Sequence, residues 1–233
     1  MQIRNATVLI TGANRGLGLE FARQALARGA RKVYAAARDP ATVTLGGVVP
    51  VRLDVTDKAA ISVLARELGD VDVVINNAGI ATPGALLEAE SEDALRRMMD
   101  TNLFGIYHLC RAFAPVLANS GGGAFVNVLS VASWISRPNL AAYAVTKAAA
   151  WSLTNGVRDA VRAQGTQVLG VHVGFIDTDL TRDMDVPKIA PGEVVEWVYA
   201  ALEAGDSEVL VDELTRQVKQ GLAAQPGLYT LAG

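Results

Sequence analysis

The chain predicts an α/β fold: a doubly wound, seven-stranded and mostly parallel sheet with helices on both faces. Three observations carry that expectation. Seven short apolar runs are separated by longer stretches of helical period, and a glycine-rich turn follows the first run. Runs that are apolar on both sides belong inside a parallel sheet covered twice, because a sheet with one wet face alternates polar and apolar residues instead. With 233 residues, 51% of them hydrophobic, the chain can bury a full core as one domain over 1–233.

The elements follow in order. TVLI (7–10) is the first strand, and GLGLEFARQALARG is the first helix. KVYAAA (32–37) and VVPVRLDV (48–55) are strands two and three, and KAAISVLARELG is the next helix. VDVVINNA (71–78) precedes one long helical segment, SEDALRRMMDTNLFGIYHLCRAFAPVLA, where Ser91 with Glu92 and Asp93 behind it suits an N-cap and an acidic first turn. AFVNVLS (124–130) leads to NLAAYAVTKAAAWSLTNGVRDAVRAQG, and QVLGVHVG (167–174) leads to PGEVVEWVYAALEAG. EVLVDE (208–213) is the seventh strand. Gly29, Gly69, Gly165 and Gly205 stand where left-handed C-caps fall. A short lid spans about 179–192; EVLVDELTRQVKQGL runs on as a helix, and the tail at about 222–233 reads as irregular.

Bulk properties exclude several function classes. A net charge of -3 without a basic block offers no footprint for nucleic acid and no polybasic membrane patch. MQIRNATVLI is not a signal peptide, and no apolar run approaches the ~18 residues of a membrane span, so the expectation is a cytoplasmic protein. The single cysteine, Cys110, reads as a buried, inert thiol. His108 and His172 stand isolated among apolar residues and read as core or interface side chains; no metal is expected.

TGANRGLG (11–18) joins the first strand to the first helix. Glycines at 12, 16 and 18 permit a tight turn, close approach of the backbone to a pyrophosphate, and close packing of helix on strand, while the helix N-terminus attracts the phosphate charge. In this strand–turn–helix context the site is a dinucleotide cradle, which makes the fold a Rossmann fold. An NAD site places an acidic residue after the second strand, where this chain has Ala37 followed by Arg38, with Arg15 inside the turn. Two guanidinium groups on the adenosine ribose suit a 2′-phosphate, so NADP(H) is expected over NAD(H), with Asp39 a source of partial neutralisation.

The spacing G-x-x-x-G-x-G after Thr11, together with LDVTD (53–57), NNAG (76–79), TNLFG, VNVLS and YAVTK, resembles the short-chain dehydrogenase/reductase family in its compact single-domain form, over about residues 5–180. The resemblance implies an NADPH-dependent carbonyl reductase or alcohol dehydrogenase. Asn102, Ser130, Tyr143 and Lys147 would be the catalytic set. The implied cofactor site comprises Gly12, Asn14, Arg15, Gly16, Leu17, Gly18 and Arg38, then Asp54 and Val55 at the adenine and Asn77, Ala78 and Gly79 at the nicotinamide ribose. Tyr143 and Lys147 complete it with Gly174, Ile176 and Thr178 at the carboxamide. Val173 stands where many relatives carry proline. The implied partners are a small carbonyl or alcohol substrate and further copies of the chain, a homodimer or homotetramer built on helices 91–118 and 141–163.

The residues supply a physical reading of the same set. On a helix, Tyr143 and Lys147 share a face, and a cation about 5 Å from a phenol at an effective dielectric of about 20 contributes roughly 3 kcal/mol toward tyrosinate. Such a phenol is a general acid or base. Ser130, at the mouth of a strand, would hold the substrate oxygen, with Ser133 as its rival. Asn102 is implied to distort its helix and hold a water that returns protons through Lys147. Trp134, Phe175 and Met184 would bound the pocket. A catalytically silent NADP(H) sensor is the alternative, although both Tyr143 and Lys147 are present.

Overall fold

The computed structural model describes residues 1–230. Seven strands, β1 (Thr7–Thr11), β2 (Lys32–Ala37), β3 (Val49–Arg52), β4 (Val73–Asn76), β5 (Ala124–Val128), β6 (Gln167–His172) and β7 (Glu208–Leu210), form one sheet in the order β3-β2-β1-β4-β5-β6-β7. Every pairing among the described residues is parallel. The chain steps outward from β1 to β3 and then returns to place β4 beside β1. That reversal opens a crevice at the carboxyl ends of β1 and β4, where a doubly wound sheet takes its ligand.

The helices are α1 (Gly16–Ala27), α2 (Lys58–Glu67), α3 (Ser91–Met99), α4 (Gly105–Asn119), α5 (Ala141–Val161), α6 (Pro191–Ala204) and α7 (Glu213–Gly221). Alternation along the strands sends neighbouring side chains into opposite layers. Val8 and Ile10 of β1 join Phe21 of α1 and Tyr199 of α6, whereas Leu9 joins Ile61 of α2, Phe113 of α4 and Phe125 of β5. Both layers are built mainly from aliphatic side chains that are almost wholly buried, which is why the strands read as continuous apolar runs.

Four local expectations are corrected. β3 is only Val49–Arg52, because it lies at the sheet edge with β2 as its single partner. Ser91 is the first helical residue rather than the cap: Glu90 before it is already in the right-handed helical region, and its side chain makes no capping bond. α2 ends at Leu68 without the left-handed residue that closes the neighbouring helices at Gly29, Gly165 and Gly205. The long segment from 91 is two helices separated by a π-helical turn, Asp100–Phe104, with Asn102 inside it. Phe104 in the π turn, Tyr107 of α4 and Val145 of α5 present exposed apolar surface. No helix among the described residues is long and apolar enough to cross a membrane.

Candidate active site

At the crevice, Gly12 turns the chain with a φ of +65°. Gly18 lets α1 close on that turn, since a Cβ there would stand 2.1 Å from the Gly12 carbonyl oxygen. Asn77 locks the arrangement by donating from Nδ2 to the carbonyls of Thr11 and Gly12, while Thr11 Oγ1 accepts from the backbone amides of Asn77 and Ala78. No side chain caps α1, so its first-turn amides face the cleft unclaimed. A pyrophosphate fits that cradle by size and by charge.

One cleft of about 1100 Å³ runs from this cradle to the end of β5. Its walls include every residue expected to bind the cofactor, from Gly12, Asn14, Arg15, Gly16, Leu17, Gly18 and Arg38 through Asp54, Val55, Asn77, Ala78 and Gly79 to Tyr143, Lys147, Gly174, Ile176 and Thr178. Within this cleft the two arginines part company. Arg15 pairs with Asp179 at 3.0 Å, across the cleft, while Arg38 remains near Asp54. The Asp39 carboxylate accepts from the Ala41 amide and makes no ion pair with Arg38 among the described residues. Asp54 is held below the usual carboxylate range, chiefly by bonds from the Thr56 amide and hydroxyl despite its partial burial, with the charge of Arg38 assisting.

Behind the β5 end of the cleft lies a ladder of buried amides. Asn76 donates to Asn127 at 2.7 Å, and Asn127 donates to the Thr154 hydroxyl at 3.0 Å, joining β4, β5 and α5. Asn102 is 0% exposed. Its Oδ1 accepts from the Ile80 amide, and its Nδ2 donates to the Ile80 carbonyl and to Thr146 Oγ1, which donates in turn to the Tyr143 carbonyl. The expected helix distortion is present as the π turn. The Asn102 side chain, however, is fully engaged as a staple between β4 and α5 and does not line the cleft.

Ser130 follows β5 and opens a 3-10 turn, Val131–Ser133, its Oγ accepting from the Ala132 amide at 3.1 Å. Tyr143 and Lys147 face the same end of the cleft from α5. The electrostatics depart from the sequence expectation. Lys147 is 5% exposed, and its Nζ donates to the Val128 carbonyl at 2.8 Å; burial lowers it to about 8. Burial pushes the Tyr143 phenol up to about 12, and a hydrogen bond with Ser130 works against that rise. The ammonium stands 5.7 Å from the centre of the phenol ring, over its face rather than at its oxygen, so desolvation outweighs the attraction that spacing alone implied.

Ser133 is buried away from the cleft wall and makes no hydrogen bond through its hydroxyl, whereas Ser130 lines the cleft. Phe175 and Met184 line the cleft as expected; Trp134 does not, because it lies flat on His172 with ring centres 3.9 Å apart. The lid is brief: a 3-10 turn, Asp179–Thr181, and a bridge from Ile176 to Ile189 precede α6. Cys110 is buried, and burial raises its thiol to about 12.

Sequence reasoning missed Asp212. Its Oδ2 accepts from the Gly174 amide at 2.6 Å while its Oδ1 caps α7 through Thr215, so the last helix is tied to the cleft wall at Gly174. An aspartate three residues before threonine marks a helix start, but nothing in the sequence shows that it reaches Gly174. Arg137, stacked 5.7 Å over the Phe175 ring, and Leu214 also line the cleft unannounced.

Known proteins share this architecture. The family model described as short chain dehydrogenase matches residues 6–188. Gluconate 5-dehydrogenase of Gluconobacter oxydans is 31% identical over 216 residues, covering 87% of this chain and 82% of that protein. Dehydrogenase/reductase SDR family member 7B of Bos taurus is 36% identical over 198 residues, which is 77% of this chain; the chain spans only 60% of that relative. A crystal structure of a short chain dehydrogenase from Burkholderia cenocepacia, in complex with NADP, superposes with a TM-score of 0.93 at 39% identity over 97% of this chain and 96% of that one. With its glycine cradle, parallel sheet and matched span, the chain belongs to the short-chain dehydrogenase family.

Proposed function

We propose that the chain is an NADP(H)-dependent oxidoreductase that interconverts a ketone or aldehyde and the corresponding alcohol, with Tyr143 as its general acid and base. One observation carries this reading: Ser130, Tyr143 and Lys147 converge at the carboxyl end of β5, in the same cleft as the glycine cradle. Bound nicotinamide supplies or accepts the hydride.

The residues do the rest. Ser130 holds the carbonyl oxygen and steadies the charge that develops on it. A phenol raised by burial keeps its proton at neutral pH, which is the state a reduction needs; an alkoxide forming beside it is more basic and takes that proton. Alcohol oxidation needs the tyrosinate and is favoured only at higher pH. Lys147, still largely protonated at neutral pH, orients the ribose and replaces the proton by way of solvent. Asn102 fixes the Tyr143 turn of α5 through Thr146.

Arg38 is the group that favours a 2′-phosphate, since Ala37 presents no carboxylate to the ribose and Arg15 is engaged by Asp179. The NADP complex of the Burkholderia cenocepacia relative supports that choice. The exposed apolar side chains of α4 and α5, with Phe104 between α3 and α4, suit a homodimer or homotetramer.

The deciding experiment follows nicotinamide absorbance with NADPH and then NADH against ketones, aldehydes and diketones. Oxidation of NADPH by a carbonyl compound supports the reading. Tight binding without turnover across the panel transfers support to a silent NADP(H) sensor.

A further inference from the structure

Beneath Ser130 lies a cluster of polar and aromatic groups that the proposed chemistry does not use. His172, the last residue of β6, is 0% exposed. Its Nδ1 lies 3.2 Å from the Ser130 carbonyl oxygen, which also accepts from the Ser133 amide at 3.0 Å. Its Nε2 lies 3.3 Å from Glu208 Oε1, an ion-pair distance away from the straight hydrogen-bond line. Trp134 covers the ring at 3.9 Å with the two planes 17° apart.

The cluster continues into the C-terminal elements. Glu208 opens β7, and Lys219 of α7 reaches its two oxygens at 3.0 and 2.9 Å. Lys219 also stands 4.6 Å from the centre of the Trp134 ring and 5.7 Å from that of Trp151. The nearby His172 ring and the bonds from Lys219 hold Glu208 down at about 2. An imidazole, a carboxylate, an ammonium and two indoles thus form one continuous unit from α7 to the main chain of Ser130.

Both neighbours of the ring, a carbonyl oxygen and a carboxylate, only accept: the Nδ1 contact is a hydrogen bond when Nδ1 carries a proton, and Nε2 meets Glu208 favourably when it carries one too. Ser130 is in extended conformation at the start of the 3-10 turn, and the direction of its hydroxyl follows from that main chain. Without the His172 contact that carbonyl is held by the Ser133 amide alone and the turn is less firmly fixed, and a displacement of about 1 Å at a reacting group is enough to cost about a hundredfold in rate.

We propose that His172 is a positioning residue for Ser130: clamped between the Ser130 carbonyl, the Glu208 carboxylate and the Trp134 ring, it transmits the seating of α7 to the serine hydroxyl. The inference rests on the oxidoreductase reading, and its Glu208 and Lys219 lie beyond residue 188, where the family match ends.

The test uses the full chain. His172→Leu keeps size and removes both contacts; His172→Asn puts an amide nitrogen where Nδ1 stood. The expected result is a fall in kcat of about ten- to hundredfold for His172→Leu, restored to within a few-fold by His172→Asn, with the dissociation constant for NADPH unchanged in both. Lys219→Met, at a partly exposed position, lowers kcat in the same direction and covers the case in which His172→Leu does not fold. Unchanged kcat in folded His172→Leu overturns the proposal. So does equal loss in the leucine and asparagine variants, or a parallel loss of cofactor affinity, because each marks a role in packing alone. If His172→Leu does not fold, unchanged kcat in Lys219→Met overturns it.

A second readout needs no turnover. Only two histidines are present, so a long-range proton–nitrogen spectrum resolves His172. A protonated Nδ1 is expected, and a bare Nδ1 overturns the proposal. Wild-type protein as inert as Tyr143→Phe sinks the oxidoreductase reading instead, and the imidazole spectrum separates the two failures.

Discussion

Lys147 Nζ lies 2.8 Å from the Val128 carbonyl oxygen, so the buried ammonium is anchored to the last residue of β5 and not to the phenol one helical turn before it. Burial holds this lysine at about 8, below its ordinary 10.5. Below about pH 8 the folded chain carries a charge that the interior disfavours. Between about 8 and 10.5 the unfolded chain binds more protons than the folded one, and stability rises with pH through that window. Lys147→Met removes the titration. The unfolding free energy of wild type should gain on that of the variant by something on the order of 3 kcal/mol across this window. Denaturant melts at four or five pH values measure it, and parallel curves would show that the ammonium is not desolvated.

Tyr143→Phe keeps the ring and removes the proton. Turnover should fall by about 10²–10⁴-fold while NADPH affinity stays within a few-fold. Steady-state kinetics alongside a fluorescence titration separate the two quantities; retained activity would remove Tyr143 from the role of acid.

Arg38→Ala should weaken NADPH about ten- to hundredfold and NADH far less, because a charge-assisted bond to phosphate contributes about 1.5–3 kcal/mol. Equal losses for the two cofactors would dismiss the phosphate argument. Arg15→Ala should have a smaller effect on this ratio, since its guanidinium is held by Asp179.

Gly18→Ala places a methyl group 2.1 Å from the Gly12 carbonyl oxygen, a backbone atom that cannot swing aside. The turn or the helix must move, at a cost of about 1–3 kcal/mol. A lower melting temperature and NADPH binding weakened by about tenfold or more are expected together, and normal binding would mean that the cradle tolerates displacement.

Asp212→Ala removes an N-cap from α7 and the acceptor for the Gly174 amide. A stability loss of about 1–2 kcal/mol is expected from the cap alone. A rise in the NADPH dissociation constant that Asp212→Asn, which keeps one acceptor oxygen, partly avoids would show that Gly174 needs an acceptor there; wild-type binding in Asp212→Ala would confine Asp212 to capping.

The fold was legible because both faces of the sheet are covered. Val8, Leu9 and Ile10 are all buried, each in a layer opposite to its neighbour, and a chain that must satisfy two cores in alternation has little choice but a run of aliphatic residues. The glycine turn was legible because close approach of main-chain atoms excludes every side chain. The direction in which the electrostatics moved Tyr143 was not: i,i+4 spacing places a cation on the right face of a helix, but whether its charge meets the phenol oxygen or a carbonyl depends on where β5 ends. His172 and Asp212 were hidden for a similar reason, since their partners lie 36 to 42 residues away and adjoin only once β5, β6 and β7 are paired.

The short β3 carries a consequence for behaviour at high concentration. Leu53, just past its end, donates its amide to Ala37 of β2, and the two-residue period of a strand therefore turns the amides of positions 50 and 52 away from the sheet. Position 50 is Pro50, which has no amide hydrogen. A stray strand arriving at this rim finds a single donor, at Arg52, beside a charged side chain, too little to template a ladder. Crowded copies are thereby kept from zipping together along this margin.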